Sequence, residues 1–362
     1  MLERVRGKQS LLGVAVLAMT SLTGCNFVRD RSSVLAQTKP TVVATHSIIC
    51  DFVEAIAEDT LDLTCLLKGT QDPHTYRPTP RDRQLLEAAQ LILYGGYELE
   101  PRISELLAAT QTPTPKIAVY EAAVTEPIVG DHHHEAEHDE AEAENENTSE
   151  TQTTESSITD RLVPEANQLP DTQAAPETQN LEGADPHVWQ NVENAVATVE
   201  SLQTALTQLN PANAALYLQN SVALEDRLWL LDAWIKNQVA TIPEAQKILV
   251  TVHDSFNYYV KAYEFTDYLS LQGLSDEESP TASQLRELAT QVRQQEIPTI
   301  FAESTASDRV INSVAREAGV ELAQTKLSAD GLGEADTYIE MMVDNTCTIV
   351  DGLGGNCTPF EN

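Results

Sequence analysis

Histidines carry the clearest chemical potential in this sequence. Eight are present, and four of them stand outside an acidic segment in the middle of the chain. Two of these four occur in a repeated tripeptide, Asp72-Pro73-His74 and Asp185-Pro186-His187. Proline fixes the backbone before each histidine, so a rigid loop would hold each imidazole in one direction. Imidazole nitrogens held in this way are suited to binding a transition metal.

Two further histidines directly follow predicted strands. His253 comes after residues 247–252, and His46 comes after residues 41–45. Ligands of α/β folds bind at the carboxyl ends of strands, so we predict that His253 is a third metal ligand. For His46 two interpretations stay open: a supporting or alternative ligand, and a structural histidine at a helix start. Glu303, which ends another predicted strand, is a candidate for the same supporting or alternative role.

The remaining four histidines lie in the run DHHHEAEHDEAEAENENTSE, at His132, His133, His134 and His138. Residues 126–184 have almost no aromatic and few large aliphatic side chains, so this segment is predicted to be a disordered insertion. Its interleaved imidazoles and carboxylates suggest an auxiliary, weak metal-collecting loop. A solvated acidic linker with incidental histidines is the alternative.

The elements that must position the histidines alternate between strand and helix. Strands are predicted at 41–45, 61–67, 91–94 and 116–120, and again at 247–252, 268–271, 298–302 and 320–325. This alternation predicts parallel sheets covered by helices on both faces. Apolar residues at helical spacing predict one long linking helix at 209–241. We therefore predict two α/β lobes, at 41–208 (with the insertion) and at 242–362.

The N-terminal residues indicate the compartment. A basic stretch at 4–8 precedes an apolar run at 11–19 and the motif Leu-Thr-Gly-Cys, which ends at Cys25. The apolar run is shorter than the roughly 20 residues of a bilayer span, so residues 1–24 are predicted to be a signal peptide. Cys25 resembles the acylated cysteine of a bacterial lipobox, with 25–40 as a tether; a plain signal peptide is the alternative. We expect an exported protein, periplasmic or at the cell surface, that touches the membrane only through its lipid anchor.

The charge of the chain limits its partners. There are 56 Asp and Glu residues against 22 Lys and Arg, a formal net charge of −34. Such a chain is repelled by nucleic acid and by anionic membrane surfaces, whereas cations are attracted to it.

Four cysteines remain after Cys25, and an even number in an exported protein predicts disulfides. Proximity in the sequence favours Cys50–Cys65 and Cys347–Cys357, although four cysteines allow three pairings. A metal site made of four thiolates is the less favoured alternative, because the short C-x-x-C spacing is missing.

Four segments in order, DPHTYRPTP, DPHVW, LVTVHDSFNYYVKAY and ADGLG, resemble the cluster A-I (ZnuA/TroA-like) metal-binding receptors of ABC importers. The resemblance covers about residues 41–125 and 185–352. It implies two lobes of parallel-sheet α/β sandwich joined by a long backbone helix, with the metal in the cleft between the lobes. It also implies the ligands: His74 and His187 from the first lobe, His253 as the third ligand, and Asp330 as the carboxylate that closes the site.

The donor set implied by this resemblance favours zinc. Three imidazoles and one carboxylate suit a tetrahedral zinc ion, whereas manganese prefers more oxygen ligands. Manganese stays open as the alternative, because members with the same donor set can hold it.

The resemblance implies a function in transport. The chain would capture a divalent metal and deliver it to an ABC permease, most simply as a monomer and without enzymatic activity. An adhesin and, less favoured, a zinc hydrolase are the competing interpretations. The hydrolase would need an open metal position and a general base, and the motifs H-E-x-x-H and G-x-S-x-G are missing from the sequence.

Overall fold

The computed structural model of the protein describes residues 38–129, 183–274 and 280–361. The predicted signal peptide, Cys25, nearly all of the tether and most of the acidic insertion lie outside these residues. The four histidines at 132–138 also lie outside them, so their predicted role stays a prediction.

Four parallel strands form the sheet of the first lobe, in the order β2-β1-β3-β4. They are β1 (Thr41–Ala44), β2 (Asp62–Cys65), β3 (Leu91–Tyr94) and β4 (Lys116–Ala118). β1 is a short β-branched run in the centre, and its Val42 and Val43 are buried. A parallel strand between two helical layers has no polar face, which explains this continuous apolar pattern.

Five helices belong to the first lobe: α1 (Ser47–Ala57), α2 (Pro80–Ala88), α3 (Pro101–Ala109), α4 (Val119–Ala123) and α5 (Val192–Leu209). The predicted strand at 116–120 is too long, because the chain turns into α4 after Ala118. Val119 and Tyr120 are fully buried in this helix, which packs against α5. Their local strand preference is overridden by this packing.

A single long helix, α6 (Ala214–Val239), links the two lobes. Its 26 residues span about 39 Å. The helix is shorter than the predicted segment 209–241: residue 209 ends α5, a 3₁₀ turn at Pro211–Asn213 precedes α6, and α6 ends at Val239. The buried side chains of α6 recur every three or four residues, and they face α1, α5 and the last helix of the second lobe.

The second lobe repeats the plan of the first. Its strands are β5 (Ile248–Thr251), β6 (Asp267–Ser270), β7 (Thr299–Ile300) and β8 (Glu321–Leu322), and its helices are α7 (Asn257–Ala262), α8 (Ala282–Gln294), α9 (Asp308–Ala318) and α10 (Tyr338–Gly352). β5 pairs with β6 and β7 pairs with β8, both in parallel. The Phe301 amide donates to the Val250 carbonyl at 2.9 Å and joins the two pairs, so β5 takes the central place that β1 has in the first lobe.

The largest of three hydrophobic clusters is shared by the two lobes, and each lobe also has a smaller cluster of its own. A single cluster of buried residues includes β1 and α1 in the first lobe, the inner face of α6, and Phe256, Tyr259, Phe301 and Met341 in the second lobe. Consistent with this, the described residues from Lys39 onward form one compact unit.

The edges of the predicted insertion are ordered. Val129 forms an antiparallel bridge with Ala184, and the Asp185 amide donates to the Ile128 carbonyl at 2.8 Å. The ordered chain therefore extends about four residues further than the predicted boundary at 126, and it resumes slightly before the boundary at 184.

Two disulfides brace the fold. Cys50 in α1 is bonded to Cys65 at the end of β2, and Cys347 in α10 is bonded to Cys357 in the C-terminal tail. The pairing favoured by proximity is therefore confirmed, and the four-thiolate metal site is wrong. None of the described helices combines the length and the apolar composition needed to span a bilayer.

Candidate metal centre

The two Asp-Pro-His motifs place His74 and His187 in loops of the first lobe. His74 lies in the connection from β2 to α2, where Asp72 Oδ1 accepts a hydrogen bond from the His74 amide at 2.8 Å. His187 precedes a 3₁₀ turn at Val188–Gln190 that leads into α5. Asp185 Oδ1 accepts from both the His187 amide (2.9 Å) and the His187 ring Nδ1 (2.8 Å). The two aspartates thus differ, since Asp72 accepts from the His74 amide and the Thr75 hydroxyl, whereas Asp185 also orients the imidazole of its histidine.

His253 comes from the second lobe, two residues after β5. The buried Glu303 holds it through both carboxylate oxygens. Oε1 accepts from the amides of Val252 (2.8 Å) and His253 (3.1 Å), and Oε2 accepts from the ring Nδ1 of His253. A carboxylate on Nδ1 leaves the Nε2 lone pair free for a metal. Glu303 thus resembles Asp185 in that it accepts from both the amide and the ring Nδ1 of its histidine, but it uses a different oxygen for each.

Asp330 lies in the loop between β8 and α10. Its Oδ2 accepts a hydrogen bond from Thr305 Oγ1, which leaves Oδ1 directed at the histidines. The loop itself is attached to the first lobe: Gln190 Nε2 donates to the Ala329 carbonyl at 3.2 Å, and the Gly333 amide donates to the Gly69 carbonyl at 3.0 Å. The second lobe thus supplies the carboxylate on a segment that the first lobe holds in place.

All four predicted ligands meet at one point. One ligand atom each of His74, His187, His253 and Asp330 lies within 4.8 Å of all the others. Asp330 Oδ1 is 3.6 Å from His74 Nε2, 3.2 Å from His187 Nε2 and 3.1 Å from His253 Nε2. All four residues are buried. Three nitrogens and one oxygen at this spacing surround a volume that suits a single metal ion.

Without a bound metal, the charges in the cluster favour an ionised Asp330 beside the protonated imidazoles of His187 and His253. Burial lowers the pKa of His187, but its hydrogen bond to Asp185 and the charges of Asp185 and Asp330 outweigh burial and raise it to about 9. Burial also opposes the charge of His253, yet Glu303 and Asp330 raise its pKa well above 6.5. For Asp330, burial is outweighed by His253 and His187, so its pKa lies well below 3.8. A bound cation would replace the imidazole protons.

His46 lies beside the cluster and outside the group of converging atoms. Burial lowers its pKa to about 4, so the ring is neutral at pH 7. Its Nε2 donates to the Asp330 carbonyl at 2.9 Å, and its Nδ1 accepts from the Tyr120 hydroxyl at 2.6 Å. The ring also lies against Trp189, with centroids 4.7 Å apart. Both nitrogens are therefore engaged, and the one lone pair, on Nδ1, is used by the Tyr120 hydroxyl.

Sequence reasoning missed three supporting residues. Asp185 had a signal, because it belongs to the repeated tripeptide and stands two residues before a predicted ligand. Thr305 and Tyr120 had none, since each reaches the site only through the tertiary fold.

The protein has two α/β lobes with a buried site between them, which is the architecture of two-lobed binding proteins. The side chains of that site, three imidazoles and one carboxylate, are those that bind metal ions. Residues 42–352 match the model of the family described as "Zinc-uptake complex component A periplasmic". Because this match covers most of the chain, the protein belongs to that family.

Named relatives agree with this assignment. The chain is 28% identical over 351 residues to the metal ABC transporter substrate-binding lipoprotein SsaB of Streptococcus sanguinis, covering 96% of this chain and 99% of that protein. It is 28% identical over 315 residues to the manganese-binding lipoprotein MntA of Halalkalibacterium halodurans, covering 86% and 88%. The structure is similar to that of the periplasmic zinc-binding protein TroA of Treponema pallidum, with a TM-score of 0.69 and 26% identity over 87% of this chain and 99% of that one.

Proposed function

We propose that this protein is the extracytoplasmic receptor of an ABC importer and that it captures one zinc ion through His74, His187, His253 and Asp330. The observation that carries the proposal is the convergence of three imidazole Nε2 atoms on Asp330 Oδ1, at 3.1 to 3.6 Å, in a buried site between two lobes. Membership of a family described as a periplasmic zinc-uptake component supports it.

The surroundings of the carboxylate support zinc as the cargo. Thr305 donates to Asp330 Oδ2, so the carboxylate presents one oxygen to the cluster. One oxygen and three nitrogens make the four-coordinate shell that zinc prefers. Manganese favours more oxygen ligands and binds a given nitrogen and oxygen site more weakly than zinc.

Manganese is the second candidate, because the relatives of this protein differ in the metal that they are named for. MntA of H. halodurans is named as manganese-binding, and TroA of T. pallidum as zinc-binding. If Asp330 Oδ2 left Thr305, the carboxylate would offer two oxygens, and the site would become more favourable for manganese.

Three neighbours would act by positioning the ligands. Asp185 and Glu303 each accept a hydrogen bond from Nδ1–H of a ligand imidazole, which fixes the tautomer and the ring direction. His46 donates a hydrogen bond to the backbone carbonyl of Asp330, so it would hold the backbone of the residue that supplies the carboxylate. Glu303 has both oxygens engaged with Val252 and His253, which argues against its use as an alternative ligand.

Transport fits the site better than hydrolysis does. A catalytic zinc keeps one position open for water, whereas four protein donors converge here. SsaB is named as the substrate-binding component of a transporter, which also favours the transport function. No feature of the described residues favours the adhesin.

Delivery to a permease and the lipid anchor belong to the same proposal. SsaB and MntA are named as lipoproteins, in agreement with a lipidated Cys25. The chain would work as a monomer held to the membrane by that anchor, and it would pass its metal to the membrane subunit of the importer.

Competitive metal binding tests the proposal. The chain from residue 26 onward, with the four histidines of the insertion replaced by Gln, would be titrated with zinc and manganese separately and together. We expect one tight zinc site that manganese does not displace, with the stoichiometry checked by elemental analysis. Asp330→Asn should weaken zinc binding by about a hundredfold or more, since the cluster loses its anionic donor.

The matched control is Asp336→Asn, which changes an exposed carboxylate six residues away and should leave zinc affinity unchanged. Manganese binding tighter than zinc would replace zinc by manganese as the cargo. Equal losses in the Asp330 and Asp336 variants would refute the proposed site.

A further inference from the structure

A groove lined by arginines lies on the first lobe, beside the loop that carries His74. Its cavity volume is about 690 Å³, and its lining consists of three arginines, one glutamate and four uncharged residues: Arg77, Arg83, Arg102, Glu105, Pro78, Thr79, Pro80 and Leu106. The proline and leucine side chains give the groove rigid apolar walls, and the guanidinium groups supply its charge.

The charge of this groove differs in sign from the net charge of the whole chain. The chain has 56 acidic and 22 basic residues, yet three arginines and only one acidic residue, Glu105, line this concavity. Arg83 pairs with Glu87 and Arg102 with Glu105 only across exposed helix surfaces, where side chains are 41 to 67% exposed. Such exposed pairs contribute little, so the guanidinium groups remain available for a partner. Among the described residues, no carboxylate lies within ion-pair distance of Arg77.

The groove and the metal cluster lie at the same edge of the sheet. The N-termini of α2 and α3 follow the carboxyl ends of β2 and β3, which is also the edge where His46 and His74 lie. One connection carries both His74 and Arg77, so a partner in the groove would contact the loop that holds a predicted metal ligand.

This connection is braced on both sides of Arg77. Asp82 Oδ2 accepts hydrogen bonds from the Tyr76 hydroxyl (2.9 Å), the Thr79 amide (2.7 Å) and the Thr79 hydroxyl (2.9 Å). The Thr79 hydroxyl in turn accepts from the Asp82 amide at 3.3 Å, which completes a capping box at the start of α2. Arg77 therefore stands on a preorganised backbone, which reduces the entropy lost when a partner binds.

We propose that this arginine groove is the surface on which the membrane subunit of the importer docks, through an extended segment that carries aspartate or glutamate side chains. The inference rests on the importer role proposed above. Guanidinium groups bind carboxylates in a planar, two-pronged geometry, and proline and leucine walls suit the apolar parts of a peptide. An extended segment suits this site better than a flat anionic lipid surface does, because the arginines line a concavity.

The test compares two triple variants of the chain from residue 26 onward, which lacks the proposed lipid anchor and keeps the whole compact unit that begins at Lys39. Arg77→Gln, Arg83→Gln and Arg102→Gln together remove the charge of the groove. Arg286→Gln, Arg293→Gln and Arg309→Gln remove the same charge from exposed positions on α8 and α9. Binding to the permease would be measured in nanodiscs of neutral phosphatidylcholine, at several salt concentrations. Zinc affinity would be measured on each protein by itself.

We expect the groove variant to bind the permease about tenfold or more weakly and to lose most of its salt dependence, because it loses complementary charges. The variant on α8 and α9 should bind like the unaltered chain, and all three proteins should bind zinc equally. Equal permease binding by the groove variant and the unaltered chain, or equal losses in both variants, would overturn the docking surface.

Two further outcomes separate this proposal from the others. If the unaltered chain binds phosphatidylglycerol vesicles without permease, and the groove variant does not, the groove is a lipid site and the proposal is wrong. If the unaltered chain binds zinc tightly but does not bind the permease, the docking surface and the importer role are both refuted while the metal site stands.

Discussion

Buried carboxyl groups in this protein have different roles that depend on what surrounds each one. Asp330 keeps its charge because three imidazoles converge on it, and Asp185 and Glu303 each orient one of those imidazoles. Glu100 has no cationic neighbour among its hydrogen-bond partners, which are Thr45 Oγ1 and the Gly95 amide. Its charge is therefore compensated only by neutral dipoles.

Thr305 should influence the choice of metal through the second oxygen of Asp330. Thr305→Val keeps the shape of the side chain but removes the hydroxyl that binds Oδ2. We expect zinc affinity to fall by about tenfold, as for other groups that hold a metal ligand. Manganese affinity should fall less, because the carboxylate becomes free to use both oxygens. Competitive titration of the two metals would measure the ratio.

The control for this change is Thr290→Val, which removes an exposed hydroxyl on α8 that donates to the Arg286 carbonyl. A zinc-to-manganese ratio that is the same in both variants would show that Thr305 does not restrain the carboxylate.

Glu100 should make the fold less stable at neutral pH than at mildly acidic pH. Burial raises its pKa to about 7 from the ordinary 4.5, although Thr45 and Gly95 oppose this change. Between these two values the folded chain holds a proton that the unfolded chain has lost, so stability falls as pH rises from about 4.5 to about 7. One pKa unit corresponds to about 1.4 kcal/mol, so the loss is on the order of 3 kcal/mol.

Glu100→Gln should remove this loss, since the neutral amide can accept from the Gly95 amide and donate to Thr45 Oγ1. We expect the variant to be more stable than the unaltered chain at pH 8 and similar to it at pH 5, as measured by urea unfolding. Glu98→Gln changes an exposed carboxyl nearby and should have no effect at either pH. A destabilised Glu100→Gln variant at pH 8 would contradict the prediction.

At the level of secondary structure, the two sheets place a histidine at the same position. β1 and β5 are the central strands of their lobes, and His46 and His253 each follow two residues after the last strand residue. His253 directs Nε2 at the cluster, whereas His46 uses Nε2 to hold the Asp330 carbonyl. The two histidines therefore occupy the same position after a central strand but have different roles, because their rings contact different neighbours.

The disulfide between α1 and β2 should contribute to stability without contributing to metal binding. It closes a loop with a sequence separation of 15 residues. Replacing Cys50 and Cys65 together by Ala should lower the free energy of unfolding by about 3 kcal/mol, because the unfolded chain gains entropy. Thermal unfolding would measure the loss, and zinc titration at a temperature where the variant is folded should give an unchanged affinity. A large change in affinity would show that the disulfide also positions the site.

For the molecule as a whole, the shared core limits how far the lobes can separate. Buried residues of both lobes pack in one cluster along α6, and the Asp330 loop is hydrogen-bonded to the first lobe at several points. Opening the cleft widely would expose this apolar surface and break those hydrogen bonds. We therefore expect metal exchange to involve small displacements of the loops that carry the ligands.

Metal affinity should depend on pH through the imidazoles of the cluster. His187 has a pKa of about 9 in the metal-free protein, and that of His253 is raised well above 6.5. Both rings hold protons below these values, and the metal must displace them, so zinc affinity should rise as pH increases toward about 9. We expect zinc affinity to rise about tenfold or more per pH unit between about pH 5.5 and 7.5, because at least one proton is released for each ion bound.

Calorimetry in buffers with different ionisation enthalpies would count the released protons. Affinity that is flat between about pH 5.5 and 7.5 would be incompatible with ligation by protonated histidines.

Local sequence determined much of this protein. The alternation of apolar strands and amphipathic helices was enough to predict two α/β lobes and a long helix, because burial on parallel sheets requires those periodicities. The repeated Asp-Pro-His tripeptide and the position of His253 after a strand identified three of the converging side chains, and the resemblance to a family supplied Asp330. Proximity along the chain was sufficient for both disulfides.

Tertiary structure alone decided the rest. Thr305, Tyr120 and His46 acquire their roles from residues far away in the sequence, and no local pattern records such contacts. The end of β4 at Ala118 was set by the packing of α4 on α5, which overrides the strand preference of Val119 and Tyr120. The pKa values of His187 and Glu100 also depend on burial and on partners that only the folded chain brings together. Sequence thus determined which side chains are available, and the fold determined what each of them contacts.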